Sequence, residues 1–340
     1  MLELIKKYAS VPAPSGDETA LCKAIIDEIK PFATQFHVDN LGNLIVFKKG
    51  KKTPSKKLML DAHMDEVGFM ITGYTDDGYL KFVSVGGIDT KVLLGKRVKL
   101  NGGIFGVIGS TPVHLLDASA KLKVPSKDAL FIDIGAESKA DAQKLIKIGD
   151  TAVFDTEYFE MGENIAVRGL DDKVGCACLT KMIQSDLEYD MYFSFSVQEE
   201  IGCRGAKVSA FSISPDCAIT VESTTASDLH AVSSEDAVCV LGKGAVLPVM
   251  DNGTLYNKST VHTLMDKANE NGIAAQYKTA VAGGTNASAI HLTKTGVKTV
   301  NIALPCRYIH SGLCVANKSD VYALEKLVLL AADEFCKGNL

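Results

Sequence analysis

The chain has 340 residues, of which 46% are hydrophobic and 23% charged, a composition that supports a substantial core plus a second module and excludes disorder, collagen and coiled coil. Lys and Arg number 36 against 41 Asp and Glu, a formal charge of -5 with no long block of one sign, which argues against nucleic acid as a partner. No apolar run reaches the ~18 to 20 residues of a membrane span, and the stretch at 327–332 is bounded by charges. Glu3, Lys6 and Lys7 interrupt the N-terminal segment where an export signal would be apolar, so the expected location is cytoplasmic. Nine scattered cysteines without a C-x-x-C pair fit reduced thiols, and Cys176 and Cys178 read as small packing residues on a helix.

In chain order, Ser15-Gly-Asp-Glu18 has the form of a capping box ahead of Leu21, Ile25, Ile26 and Ile29, which predicts a helix over about 16–30. Strands follow at 44–47 and 57–60, the second running directly into Asp61-Ala-His-Met-Asp-Glu66. From 67 to 160 the texture changes to short apolar runs separated by Asp76-Asp-Gly78, Gly86-Gly87 and Asn101-Gly-Gly103, with one helix near 138–147. An Asn-Gly between two alternating runs signals a hairpin. This stretch reads as a small β-rich insert whose exposed edges a symmetric dimer would cover, and His114 within it reads as structural. Beyond it, strands at 192–197, 217–221, 273–281 and 299–304 alternate with helices near 172–184, 260–270 and 286–294. A final amphipathic helix carries Val321, Leu324, Val328, Ala331 and Phe335. The expected fold class is therefore α/β, a mixed sheet flanked by helices, with the catalytic domain in 1–66 and 161–340 and the insert in 67–160.

The chemistry gathers at strand ends and the loops beyond them, where open α/β sheets bind ligands. His63 and Asp65 are two apart, a spacing that lets a carboxylate orient an imidazole whose other nitrogen binds a metal. A carboxylate in Arg168-Gly-Leu-Asp-Asp-Lys-Val-Gly175, either Asp171 or Asp172, can bridge two cations. Of the adjacent Glu199 and Glu200, one can ligate while the other holds a water proton. Glu222 at the end of a strand and His310 complete a set of oxygen and nitrogen donors without thiolate. Such a set suits zinc, cobalt or manganese in an open catalytic site. Gly283 to Ala287, a glycine-rich turn before a helix, offers backbone donors to a substrate main chain through Gly283, Gly284 and Thr285.

Ala62-His-Met-Asp-Glu-Val-Gly68, Leu170-Asp-Asp-Lys-Val-Gly175, Gln198-Glu-Glu-Ile-Gly202, Gly283-Gly-Thr-Asn-Ala287 and Arg307-Tyr-Ile-His-Ser311 together resemble the M42 family of metallo-aminopeptidases over nearly the whole chain. That family includes glutamyl and tetrahedral aminopeptidases and members once labelled endoglucanases. The resemblance implies a zinc-exopeptidase-like fold with an inserted barrel-like dimerisation domain, and dimers that assemble into a dodecamer. It implies two divalent metal ions per subunit, zinc first with cobalt or manganese as alternatives. Asp171 would bridge them, with His63 and Glu222 on one metal and Glu200 and His310 on the other. Glu199 would be the general base toward a bridging water, and Asp65 would orient His63. The implied activity is removal of N-terminal residues from peptides.

Many members carry Asp where this chain has Glu222. Glu at this point also occurs in related deacylases and carboxypeptidase-like enzymes, which makes metal-dependent deacylation the alternative reading. Glycoside hydrolysis by paired carboxylates is a third, and it leaves both histidines without a role. An acidic side-chain preference would need a cation in the pocket; Arg307 and Lys173 are candidates whose direction spacing does not give, and neither is assigned.

Overall fold

The computed structural model describes residues 1–233 and 236–340. Its main element is an eight-stranded sheet in the spatial order Gln35–Val38, Leu44–Lys48, Met191–Ser196, Leu58–His63, Cys217–Thr225, Lys298–Cys306, Ala245–Leu247, Ala275–Tyr277. The strands beginning at Met191, Leu58, Cys217 and Lys298 run parallel at its centre, so their C-terminal ends open on one edge. Parallel strands need cover on both faces, and side-chain alternation supplies it. Leu58, Leu60, Ala62, Ile219 and Val221 join a large cluster with Leu2–Ala9, Thr19–Ile29, Leu170–Gln184, Lys258–Glu270 and Lys318–Lys337, whereas Met59 and Ala218 turn the other way onto Arg204–Ile213 and Ile290. Cys176 and Cys178 are wholly buried packing residues of the larger cluster.

The second module is a closed barrel in the order Gly68–Tyr74, Leu80–Val85, Leu130–Asp133, Phe105–Ser110, Arg97–Leu100, Thr151–Phe154. Phe69 fills its centre, edge-on to Phe82 at 5.3 Å and to Phe154 at 5.1 Å between ring centroids. Closure removes the free edges that the sequence suggested a dimer would cover. What the barrel leaves outside is apolar side chains, with Val113, Leu115, Leu122 and Val124 exposed on the connection between Ser110 and Leu130. His114, expected as a structural residue, is exposed beside them.

Several elements differ in extent from the pattern. Ser15 does not cap the helix Thr19–Ile29, because its hydroxyl donates to Asp65 Oδ2 at 2.7 Å. The helix anticipated at 286–294 is one turn, Ala287–Ile290, and the strand at 273–281 shrinks to Ala275–Tyr277. No helix is long and apolar enough to cross a membrane among the described residues.

Candidate metal centre

Two strands extend further than their hydrophobic runs. Leu58–His63 continues through Asp61 and Ala62, so His63 is a strand residue paired with Ser196. Glu222 lies within Cys217–Thr225, opposite Ala303, three residues before the strand stops. Both polar side chains are therefore held by sheet backbone, and loops from the two remaining central strands bring Glu199, Glu200 and His310 to the same edge.

Asp171 is the hub. Its Oδ1 lies 3.6 Å from His63 Nε2, and its Oδ2 lies 3.5 Å from His310 Nε2. His310 Nε2 is also 3.3 Å from Glu200 Oε2, and ligand atoms of Asp171, Glu200 and His310 all lie within 4.8 Å of one another. Glu199 Oε2 stands 4.0 Å from His63 Nε2. Asp172, the other carboxylate of the turn, points away and accepts from the His63 and Gly175 backbone N–H groups at 3.2 and 2.9 Å. A side chain at Gly175 would sit 2.4 Å from Asp172 Oδ2 and from the Val221 carbonyl, so only glycine lets the turn approach the strand.

Each imidazole is oriented through Nδ1. His63 Nδ1–H donates to the Asp65 carbonyl at 3.0 Å, whereas the Asp65 carboxylate is 3.4 Å away, so the main chain rather than the expected carboxylate makes the closer contact. The Asp65 carboxylate instead accepts from Ser15 Oγ and from the N–H groups of Glu199 and Glu200, tying three segments together. His310 Nδ1 faces the Gly87 carbonyl of the barrel side at 3.1 Å. With Nδ1 donating, each Nε2 is left to face the carboxylates. Gln198, Cys203, Tyr308 and His310 all take positive φ around the cluster, backbone that non-glycine residues adopt at a cost of about 1–3 kcal/mol each.

A buried ionic group fixes the loops. Arg168 Nη1 donates to both Glu66 oxygens at 2.6 and 2.7 Å, and Nη2 to the Ala9 carbonyl. Lys173, fully buried, donates to the Met64 carbonyl at 2.6 Å and lies 3.7 Å from Glu66 Oε1. Met64 to Glu66 follow His63 and Arg168 to Lys173 flank Asp171, so this group holds the turns that carry His63 and Asp171 together. Lys173 is thereby committed to the framework, and Arg307 is equally committed to a two-pronged pair with Asp228 at 2.8 Å. Neither is a free cation.

Burial and crowding set the charges. Burial pushes Glu199 up to about 7 and Glu200 up to about 8, with repulsion from Asp171 adding to both. Burial and the neighbouring Glu199 drive Glu222 well up. Burial alone would lower His310, yet its bond to Asp171 and the charge of Glu200 carry it to about 9. Burial would likewise raise Asp171, but the two imidazoles outweigh it and hold the carboxyl well below its usual range. A crowd of buried carboxylates facing imidazole nitrogens is costly without a cation, and this donor set fits borderline divalent ions.

The remaining lining was less visible in the pattern. Asn286 N–H donates to Glu222 Oε1 at 2.8 Å, and its side-chain amide donates to Asp61 Oδ2 and Ser196 Oγ. Cys203, its thiol kept protonated by burial, donates to Glu199 Oε1 at 3.5 Å. Of the expected main-chain donors, Gly283 and Gly284 are exposed, while Thr285 is buried with its hydroxyl against Tyr256 OH and Asp251 Oδ2. No spacing rule finds Asn286 or Ser15, because their partners lie far away in sequence.

The sequence matches the M42 glutamyl aminopeptidase family over residues 42–327. A lysyl aminopeptidase of Pyrococcus furiosus is 32% identical over 348 residues, covering 98% of this chain and 96% of that one. Among solved structures, an aminopeptidase of the archaeon Desulfurococcus kamchatkensis aligns with a TM-score of 0.91 at 36% identity, over 96% of this chain and 92% of its own. The TET1 peptidase of Pyrococcus horikoshii, which can assemble into a tetrahedron or a large octahedral shell, aligns with a TM-score of 0.84 at 37% identity, over 97% and 98%. The mixed sheet with its inserted barrel, the cluster around Asp171 and these likenesses agree: the chain belongs to the M42 glutamyl aminopeptidase family and is a peptide hydrolase of the aminopeptidase class.

Proposed function

We propose that the chain removes N-terminal residues from peptides with two divalent metal ions, zinc first and cobalt or manganese as alternatives. The observation that carries this reading is the orientation of Asp171, one oxygen toward His63 and the other toward His310. His63, Asp171 and Glu222 would hold one ion, and Asp171, Glu200 and His310 the other. Bound there, the ions would polarise the scissile carbonyl and acidify a water. Glu199 is the general base: with Oε1 taking the Cys203 thiol, Oε2 is left to receive a proton from the attacking water. It then returns that proton to the leaving amine nitrogen as the C–N bond breaks. Asp65 positions both glutamates through their backbone N–H groups, and Gly283, Gly284 and Thr285 would offer backbone donors to the peptide main chain.

In this reading residues 67–160 are the dimerisation domain, the exposed Val113, Leu115, Leu122 and Val124 are part of its contact, and dimers assemble into a dodecamer in the cytoplasm. The assembly of the Pyrococcus horikoshii relative supports a homo-oligomer. The test is a screen of free and N-acetylated peptides with metal-stripped protein, restoring each cation in turn. Cleavage of free peptides on metal addition is the expected result. Cleavage confined to the acetylated forms would instead assign the deacylase reading that Glu222 suggests.

A further inference from the structure

Behind His63 and Glu222 the sheet carries a further polar row. His63 pairs with Ser196 and Glu222 lies opposite Ala303; two residues earlier on the same four strands stand Ser194, Asp61, Thr220 and Asn301, each the register partner of the next. Side chains two apart on a strand share a face, so this row lies on the face of His63 and Glu222. All four residues are buried. Asp61 is the costly member: it is wholly buried, has no ion-pair partner among the described residues, and leaves Oδ1 without a hydrogen bond. For stability alone an apolar side chain would serve as well or better.

What Asp61 holds is Asn286. Its Oδ2 accepts from Asn286 Nδ2 at 2.8 Å, and Ser196 Oγ accepts from the same amide at 2.9 Å. Asn286 is wholly buried and its Oδ1 has no partner, so the side chain is fixed through its donor end alone. The preceding residue is fixed as well. Thr285 Oγ1 lies 3.3 Å from Tyr256 OH and 3.4 Å from Asp251 Oδ2, and Tyr256 OH donates to the same Asp251 oxygen at 2.6 Å. Between these anchors the Asn286 N–H donates to Glu222 Oε1 at 2.8 Å. The helix that follows, Ala287–Ile290, is a single turn and too short to fix this N–H by its own hydrogen bonds, so the side-chain anchors set where it sits.

Glu222 is the ligand candidate that gains from such a fixed donor. A glutamate has one more torsion to hold than an aspartate, and ordering it costs more rotamer freedom. Its Oε1 is taken by the Asn286 N–H, and no hydrogen bond among the described residues engages Oε2. We propose that Asp61 and Asn286 are positioning residues for Glu222: Asp61 fixes the Asn286 amide, and the Asn286 N–H holds Oε1 so that Oε2 is presented to the ion shared with His63. The proposal rests on the dinuclear reading of the metal centre and adds two residues that would touch neither ion. Among the assigned ligand side chains Glu222 alone is hydrogen-bonded to this network, so its effect falls on one ion of the pair.

The test uses the full-length protein loaded with zinc, its ions counted by mass spectrometry over a graded chelator series. The double variant Asp61→Leu/Asn286→Leu removes both members of the buried pair at once, which leaves neither as an orphan and is close to neutral for stability. The thermal midpoint of the metal-stripped variant therefore stays near that of the stripped parent. Retention of one of its two ions falls about 10- to 100-fold, and the other changes far less. Asp61→Asn keeps an acceptor oxygen for the Asn286 amide and stays within about threefold of the parent. Should the double variant not fold, Asn286→Ala is read in the same way. Unchanged retention of both ions, equal weakening of both, or a loss in Asp61→Asn as large as in the double variant overturns the positioning role while leaving the dinuclear reading in force. A parent that holds fewer than two ions overturns both.

Discussion

The barrel and the sheet handle polarity in opposite ways. From residue 68 to 154, Thr151 is the one polar side chain buried among the described residues, and the interior is otherwise Phe69, Phe82, Phe154 and aliphatic neighbours. The sheet unit buries His63, Asp65, Glu66, Arg168, Asp171, Asp172, Lys173 and Glu222. Burying charge is expensive, and replacing such groups with apolar ones is often neutral or stabilising. The sheet unit therefore carries its polar interior for chemistry, and the barrel, free of that demand, is packed for shape. The Gly87 carbonyl, facing His310 Nδ1, is one place where the apolar module reaches into the polar one.

The largest expected effect isolates the chemistry. Glu199→Gln should lower kcat by about a thousandfold or more while metal content by mass spectrometry stays near that of the parent, since Glu199 moves a proton and binds no ion in this account. Equal loss of metal would transfer Glu199 to the ligand set. Next, two substitutions contrast the two interiors. Glu66→Gln leaves Arg168 and Lys173 buried without their anion and should cost about 3–5 kcal/mol in denaturant unfolding, with weaker metal retention in chelator competition. Phe69→Ala should cost a similar ~3–5 kcal/mol through the cavity it leaves, with metal retention unchanged. If Phe69→Ala also released metal, the two regions would not be separable in this way.

A pH series sharpens the same contrast. Glu199, Glu200 and His310 all have folded-state values above their ordinary ones, at about 7, 8 and 9. A raised group adds stability that is complete below its unfolded value and is lost as pH climbs through the folded one. Metal-stripped protein should therefore lose thermal stability between about pH 5 and 9. Asp171, which is lowered, gives up its share only at far more acid pH. Metal binding expels the same protons, so the melting gap between loaded and stripped protein should widen over that window. A constant gap would detach these groups from the metal. The smallest effect is expected at Leu122, 90% exposed. Leu122→Lys should change monomer stability by no more than about 0.5 kcal/mol yet shift sedimentation toward smaller species.

Much of this was legible in the sequence, for identifiable reasons. The alternation of Phe193, Phe195 and Val197 and the Asn101-Gly hairpin are local signals, and local physics decided both elements. His63, Asp171, Glu200 and His310 each sit in a short motif next to a strand or helix start, and the structure brings these side chains together; the motif alone leaves Asp171 and Asp172 open, and the resemblance chooses between them. Glu222 ends the apolar run of its strand, yet it lies inside the strand itself, because Ser223 to Thr225 pair with Leu304 to Cys306. Ser15 has the spacing of a cap, but its hydroxyl is taken by Asp65, fifty residues away. The commitments of Lys173 and Arg307 were equally invisible, for an ion pair formed in space leaves no spacing to read.

Metal stoichiometry in the parent and in Asp171→Asn decides whether Asp171 joins two cations. Two divalent ions per chain in the parent and loss of both in the variant are expected. One ion per chain in the parent, or a variant that keeps its full complement, would contradict it.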